Sequence, residues 1–291
     1  EWSASKTDSI GASTTLLRMP TRAEGWDGFP VAIESSADPG FVDALFVHAN
    51  GFCKELWRPI TRTVSERVHS FRWMSMDQRG HGDSGVGEPP YEWDLVARDV
   101  VTLIGEARGL TGVGHSSGGA AIARAEILQP GLFDSLVLIE PILFPAPHGR
   151  HEIPLAAVTE QRRAVFADRQ AAHDRFAARA FEDWDPTVLD LYIDHGFRAT
   201  GNGWELKCAP AVEADYYREG NNHDTWERLG EIDAPVVLVA GEHSDSHHGP
   251  YLSQLQARFK RAHLEIVPDA GHLVPMEKPD IIADVVTTAI W

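Results

Sequence analysis

The sequence predicts an α/β fold in which a mostly parallel central sheet is flanked by helices. Three features predict it. Short apolar runs rich in β-formers recur along the 291 residues, longer stretches of helical period alternate with them, and the runs are nearly unbroken in their hydrophobicity. Strands that alternate with helices need crossover connections and therefore pair in parallel. Strands without polar alternation belong to a sheet covered on both faces.

Residues 44–47, 71–76, 110–114, 135–139, 235–240 and 263–267 are the six expected strands. Residues 55–68, 93–108, 119–128, 251–259 and 281–290 carry the helical patterns between them. Residues 14–19 and 31–34 suit an antiparallel edge hairpin. The rhythm breaks from 141 to 230, where the pattern is helical, irregular, rich in aromatics and without a good strand; Pro141, Pro145, Pro147 and Pro154 stiffen its start. The expected organisation is therefore a core of residues 1–140 and 231–291 with a helical insertion at 141–230. An insertion after the carboxyl end of a parallel strand lies over the place where such sheets bind ligands. Most of its aromatics would simply form its own small core.

Composition excludes several classes. With 26 Lys and Arg against 43 Asp and Glu, the net charge is −17. No basic cluster is present for nucleic acid, and an anionic membrane surface is disfavoured. No apolar run reaches the roughly 18 residues of a membrane helix. Residues 1–13 are polar, with no secretory pattern. Two cysteines, Cys53 and Cys208, are too few for a disulfide framework and fit a reducing, cytoplasmic setting.

The strongest motif is Gly114-His115-Ser116-Ser117-Gly118. It follows a strand and opens a helix, the context in which G-x-S-x-G presents a serine on a sharp turn. Flanking glycines allow the chain to pass close to itself, and the helix N-terminus favours developing negative charge. The plain alternative is a Gly/Ser-rich helix cap. Serine is a weak nucleophile without a base. Asp269-Ala270-Gly271-His272 follows the last strand, where a loop carries an imidazole back to such a turn. The glycines spell neither a dinucleotide fingerprint nor a P-loop, so no cofactor is expected. Glu242, His243, Asp245, His247 and His248 have the composition of a metal cluster but no ligand spacing, which favours a solvated loop; no metal is expected.

Val47-His48-Ala49-Asn50-Gly51-Phe52, Asp77-Gln78-Arg79-Gly80-His81-Gly82-Asp83-Ser84, Gly114 to Gly118 and Ala270-Gly271-His272 resemble, in this order, the signature set of the α/β-hydrolase family. The resemblance covers nearly the whole chain outside the insertion, which it casts as a helical cap. It implies an oxyanion hole built from the N–H of Ser117 and that of Asn50 or Gly51, with Asp77 to Ser84 a structural turn. It also implies an acid behind His272. Asp245 holds the usual family position. Glu140, at the end of the fourth strand, holds the position used by some lactonases, haloalkane dehalogenases and fungal acyl-CoA hydrolases. An ionised glutamate after five largely apolar residues needs a partner, which tilts the balance slightly to Glu140; both remain open.

The expected activity is that of a serine hydrolase using Ser116 and His272, with Glu140 or Asp245. It would cleave a carboxylic ester or lactone of an apolar or aromatic small molecule through an acyl-enzyme. A serine at the turn argues against epoxide and haloalkane chemistry, which resembling enzymes perform with an aspartate. An acyl-CoA thioesterase, an amidase and a carbon–carbon bond hydrolase are the alternatives within the class. Net −17 makes a CoA ester less comfortable unless Arg162, Arg163 or Arg169 offsets it. A hydrolase-like receptor with little turnover is the rival outside it.

Overall fold

The computed structural model describes residues 19–145, 147–179 and 181–290. Its centre is an eight-stranded sheet. The strands are β1 (Met19–Glu24), β2 (Pro30–Ser35), β3 (Ala44–Val47), β4 (Trp73–Met76), β5 (Leu110–His115), β6 (Phe133–Ile139), β10 (Val236–Gly241) and β11 (Ala262–Val267). Their order is β1-β2-β4-β3-β5-β6-β10-β11. From β4 onward every pairing is parallel; β1–β2 and β2–β4 are antiparallel. The expected hairpin is therefore displaced, because β1 is Met19–Glu24 and residues 14–18 lie outside the described residues.

Side chains of a strand point alternately to its two faces, and here both faces are dry. Leu45, Val47, Leu136, Leu138 and Leu238 enter the core cluster beneath α2 (Trp93–Ile104) and α3 (Ser117–Leu128). Phe46, Val137, Ile139 and Val239 enter the opposite cluster beneath α1 (Arg58–Arg67) and α11 (Pro279–Ala289). This is why the strands read as unbroken apolar runs. Helix α2 stops at Ile104 because Gly105 adopts φ 58°.

Between β6 and β10 the chain forms α4 (Pro154–Glu160), β7 (Val165–Phe166), α5 (Arg169–Ala177), α6 (Pro186–His195), β8 (Phe197–Thr200), β9 (Gly203–Leu206), α7 (Pro210–Glu219) and α8 (Thr225–Arg228). The expectation of a strandless segment is corrected: β7, β9 and β8 form a small antiparallel sheet. Strands of two to four residues with half-exposed side chains leave no periodic signal. Phe166, Trp184, Tyr192 and Phe197 make the segment's own core, which meets Phe52, Leu56 and Met276 of the main body. Among the described residues, no helix is long and apolar enough to cross a membrane.

The Asp77 turn braces the loop after β3. Asp77 is fully buried and accepts from the backbone N–H of Lys54 at 2.7 Å, from Lys54 Nζ at 2.8 Å and from the N–H of Asp83 at 2.8 Å. Lys54 Nζ also pairs with Glu55 at 2.8 Å. Removing one partner of a buried ion pair costs about 3–5 kcal/mol. Lys54→Met should lose that much in urea unfolding; a loss under about 1 kcal/mol would deny this cluster its bracing role.

Candidate active site

Ser116 lies between β5 and α3, with φ 54° and ψ −115°. This left-handed backbone is held from both ends, since its N–H donates to Ile139 O at 2.9 Å and its carbonyl accepts from Ile142 N at 3.2 Å. The flanking glycines are sterically required. A Cβ on Gly114 would sit 2.4 Å from Gly118 O, and one on Gly118 would sit 2.2 Å from Val47 O. The bend therefore tucks under the end of β3 and turns the Ser116 hydroxyl towards a cavity.

His272 stands on the loop between β11 and α10 (Val274–Glu277). Gly271 N–H donates to Glu277 at 2.6 Å, and His115 Nε2 lies 2.8 Å from the His272 carbonyl. Burial and the neighbouring His272 push His115 down to about 3, so its neutral ring donates Nε2–H to that carbonyl. Ser116 Oγ is 3.1 Å from His272 Nε2, and His272 Nδ1 is 2.9 Å from Glu140 Oε2. Serine, imidazole and carboxylate thus form one chain of contacts.

Of the two candidate acids, Glu140 is the one against the imidazole. It follows β6, is fully buried, and takes φ 49°. Its Oε1 accepts from Gly241 N at 2.8 Å and its Oε2 from Ser244 Oγ at 2.7 Å. Asp245 is exposed and forms part of the cavity wall, while its neighbours Ser244 and His247 turn inward. The solvated-loop expectation is corrected at those two residues: Ser244 and His247 are buried, and His247 Nδ1 lies 2.8 Å from Glu140 Oε2. Sequence reading missed both because residues 242–248 show no period that separates inward from outward positions. Burial raises the Glu140 pKa, but hydrogen bonds from His247 and His272 outweigh it and hold the carboxyl at about 2.

Asn50, Gly51 and Ser117 all border the cavity. The Gly51 N–H donates to His81 Nε2 at 2.9 Å. His81 Nδ1 lies 2.9 Å from Arg79 O, which keeps the ring proton on Nδ1 and leaves Nε2 to accept. Burial pushes His81 down to about 4. The same Nε2 lies 3.0 Å from Asn50 Oδ1, so the ring ties the two oxyanion candidates of this loop together. Ser117 is the first residue of α3, whose opening N–H groups have no intrahelical acceptor. The Asn50 side chain is anchored by Nδ2, which donates to Glu213 O at 2.9 Å.

The cavity holds about 840 Å³. Phe52, Phe144, Phe176, Phe181 and Leu273 supply apolar walls; Arg162, Glu213, Tyr217 and Arg218 supply a polar one. Arg162 is paired with Glu213, its Nη1 donating to Oε1 at 3.1 Å, and Arg218 with Glu152 and Glu160, both at 2.7 Å. Of the other arginines weighed as CoA partners, Arg169 pairs with Asp190 and Asp194, and Arg163 lies over Phe166. Cys53 lies in the Phe52–Leu56 cluster, and burial pushes its thiol up. Among the described residues, two groups could offer metal ligands within 4.8 Å of one another: Glu140, His247 and His272, and the exposed Glu242, His243 and Asp269.

A parallel sheet that hands a strained serine to a loop-borne imidazole is the architecture of the α/β-hydrolases. Residues 44–285 match the Alpha/beta hydrolase family, and the chain belongs to it. An abhydrolase domain-containing protein of Alternaria alternata is 25% identical over 213 residues, covering 61% of this chain and 81% of that protein. The 2-(acetamidomethylene)succinate hydrolase of Mesorhizobium japonicum is 27% identical over 248 residues, covering 84% and 87%. A crystal structure of E-2-(acetamidomethylene)succinate hydrolase superposes with a TM-score of 0.78 at 21% identity, covering 94% of this chain and 99% of that one.

The Glu140 charge links stability to pH. Its folded pKa of about 2 lies below the ordinary 4.5, so its contribution is complete above 4.5 and lost as pH falls towards 2. That contribution is on the order of 3 kcal/mol. Wild type and Glu140→Gln should differ most in urea unfolding near pH 6, with the gap narrowing between pH 4.5 and 2.5. A constant gap would mean that the charge is not what the site stabilises.

Proposed function

We propose that the protein is a serine hydrolase that cleaves a carboxylic ester or lactone of an apolar or aromatic small molecule through an acyl-enzyme. The observation that carries this reading is the continuous chain Ser116 Oγ–His272 Nε2 and His272 Nδ1–Glu140 Oε2, at 3.1 and 2.9 Å, opening on one cavity. In this reading Ser116 donates its proton to His272 Nε2 as Oγ attacks the carbonyl carbon. Glu140 fixes the tautomer with Nδ1–H and stabilises the imidazolium that forms. The N–H groups of Ser117 and Asn50 hold the tetrahedral oxyanion, typically worth about 3 kcal/mol per donor. The imidazolium then protonates the leaving oxygen, and the neutral ring activates water to release the acid.

Residues 141–230 act as the cap. Phe144, Phe176 and Phe181 from this segment line the cavity that Ser116 borders, favouring an apolar acyl or alcohol group. Arg162, Arg169 and Arg218 are already held by carboxylates, which disfavours a polyanionic CoA ester. Buried, unbridged Cys53 and Cys208 support a reducing setting such as the cytoplasm.

Ser116→Ala should abolish both turnover of a chromogenic aryl ester and labelling by a fluorophosphonate while leaving the melting temperature near wild type. Retained turnover would sink the assignment, and wild-type labelling without turnover of any ester, lactone or thioester would favour a receptor. Glu140→Gln should lower kcat by about 10³-fold or more, by analogy with removal of an orienting carboxylate, and Asp245→Asn by less than about tenfold. Equal losses would deny Glu140 its role.

A further inference from the structure

Helix α7 belongs to the insertion by sequence but to the main body by its contacts. Tyr216 Oη donates to Arg79 O at 2.8 Å, Tyr91 N–H donates to Asp215 Oδ2 at 2.9 Å, and Trp93 Nε1 donates to Tyr216 O at 3.3 Å. Val212 and Tyr216 are packed into the core cluster beneath α2 and α3. A helix fastened at so many points is a fixed anchor for whatever binds to it. One group that binds to it is the side chain of Asn50, whose Nδ2 donates to Glu213 O at 2.9 Å across 163 residues of chain. A carbonyl only accepts, so the amide nitrogen is the end that faces α7. The amide oxygen faces the Asp77–Ser84 turn, 3.0 Å from His81 Nε2. Asn50 is buried, and breaking its bond to Glu213 leaves polar atoms without water, at a cost of about 1–3 kcal/mol. The Glu213 carboxyl presses on the same loop, 3.0 Å from where a Cβ on Gly51 would stand.

We propose that the side chain of Asn50 is a positioning group: by pinning the loop after β3 to α7, it fixes the Asn50 backbone N–H where the oxyanion develops. The inference rests on the acyl-transfer reading and extends it. An oxyanion donor is effective when it is already in place as the charge forms. A loop held only by its connection to β3 has freedom that the tether to α7 removes. The benefit falls on the tetrahedral state and not on the bound carbonyl, so losing the tether lowers kcat and leaves KM nearly unmoved.

The insertion then has two duties that an experiment can separate. Its aromatic rings form walls and are held by their own neighbours. Phe144 packs on Tyr251 of α9 (Gly249–Arg258), and Phe176 and Phe181 pack on Tyr192 of α6. A defect in these walls grows with the apolar length of the substrate, because more buried area is lost. A defect in the tether is the same for every acyl chain, because each passes through the same oxyanion.

Asn50→Asp is the direct test: it keeps the shape of the side chain and sets an acceptor against Glu213 O in place of the donor. Asn50→Ala removes the amide altogether. In both, kcat for an aryl acetate and an aryl hexanoate should fall by at least about tenfold and to the same extent, with KM within about threefold of wild type. Inhibition by an aryl boronic acid, whose tetrahedral adduct carries the negative oxygen, should weaken by at least about tenfold as well. Hydrogen exchange of the backbone amides of residues 48–53 in the intact protein should be faster in both variants. Wild-type kcat in Asn50→Asp would overturn the proposal. So would a raised KM at unchanged kcat, a loss that grows with acyl length, or unaltered exchange in the loop. If exchange rises in both variants but wild type neither cleaves the esters nor binds the boronic acid, the tether stands and the hydrolase reading fails.

Discussion

The site depends on keeping one carboxylate ionised where no water reaches it. An unpaired buried charge would be neutralised or expelled, and Glu140 avoids both through donors that come from separate pieces of chain. Gly241 ends β10, Ser244 and His247 lie on the loop that follows it, and His272 follows β11. Those donors can converge because β6, β10 and β11 are consecutive in the sheet. Parallel pairing sets their carboxyl ends side by side, so a residue just past β6 meets the two loops that leave its neighbours. Gly241 makes the approach close enough, since a Cβ there would sit 2.3 Å from Gly271 O. Sheet order, one glycine and one charge together determine where the imidazole stands.

The serine side of the site is built on strain rather than charge. A non-glycine residue at φ 54° and ψ −115° costs on the order of 1–3 kcal/mol and persists only where its surroundings over-determine it. Here β6 and the chain just beyond it supply that restraint through Ile139 and Ile142. The following helix is buried on all sides from Ser117 to Ile127, so it cannot rotate to relax the bend. The same rigidity fixes the Ser117 N–H beside the hydroxyl. A flexible serine would reach more positions and spend less time in line with the imidazole.

The sequence made legible whatever depends on neighbours along the chain. The central strands were readable because both of their faces are dry, and the Ser116 bend because its glycines, strand and helix are contiguous. His272 was readable because it follows the last strand. The short strands β7 to β9 were not, since two to four half-exposed residues carry no periodicity. Choosing Glu140 over Asp245 required knowing which residues of 242–248 turn inward, and Ser244 and His247 do so without any pattern between them. The contact of the Gly51 N–H with His81 joins it to another strand's loop that shares no local signal with it. Each miss is a contact between segments that only the completed sheet brings together.

The cavity's two walls bear on which molecules it accepts. An aromatic ring gains from burial against Phe144, Phe176 and Phe181 without displacing any polar contact. A charged group meets a different situation. Arg162 is turned to Glu213, and Glu213 sits against the Asn50–Gly51 loop, where a Cβ on Gly51 would lie 3.0 Å from its carboxyl. An anion at Arg162 would have to displace that carboxylate or bind with it in protonated form. Burial raises the Glu213 pKa against the opposing pull of Arg162, so the second course costs less than it would in water. If the proposed ester cleavage holds, affinity for a neutral ester would follow apolar area, while affinity for an acidic one would be coupled to a proton taken up at Glu213. The two substrate types would be told apart by the pH dependence of KM rather than of kcat.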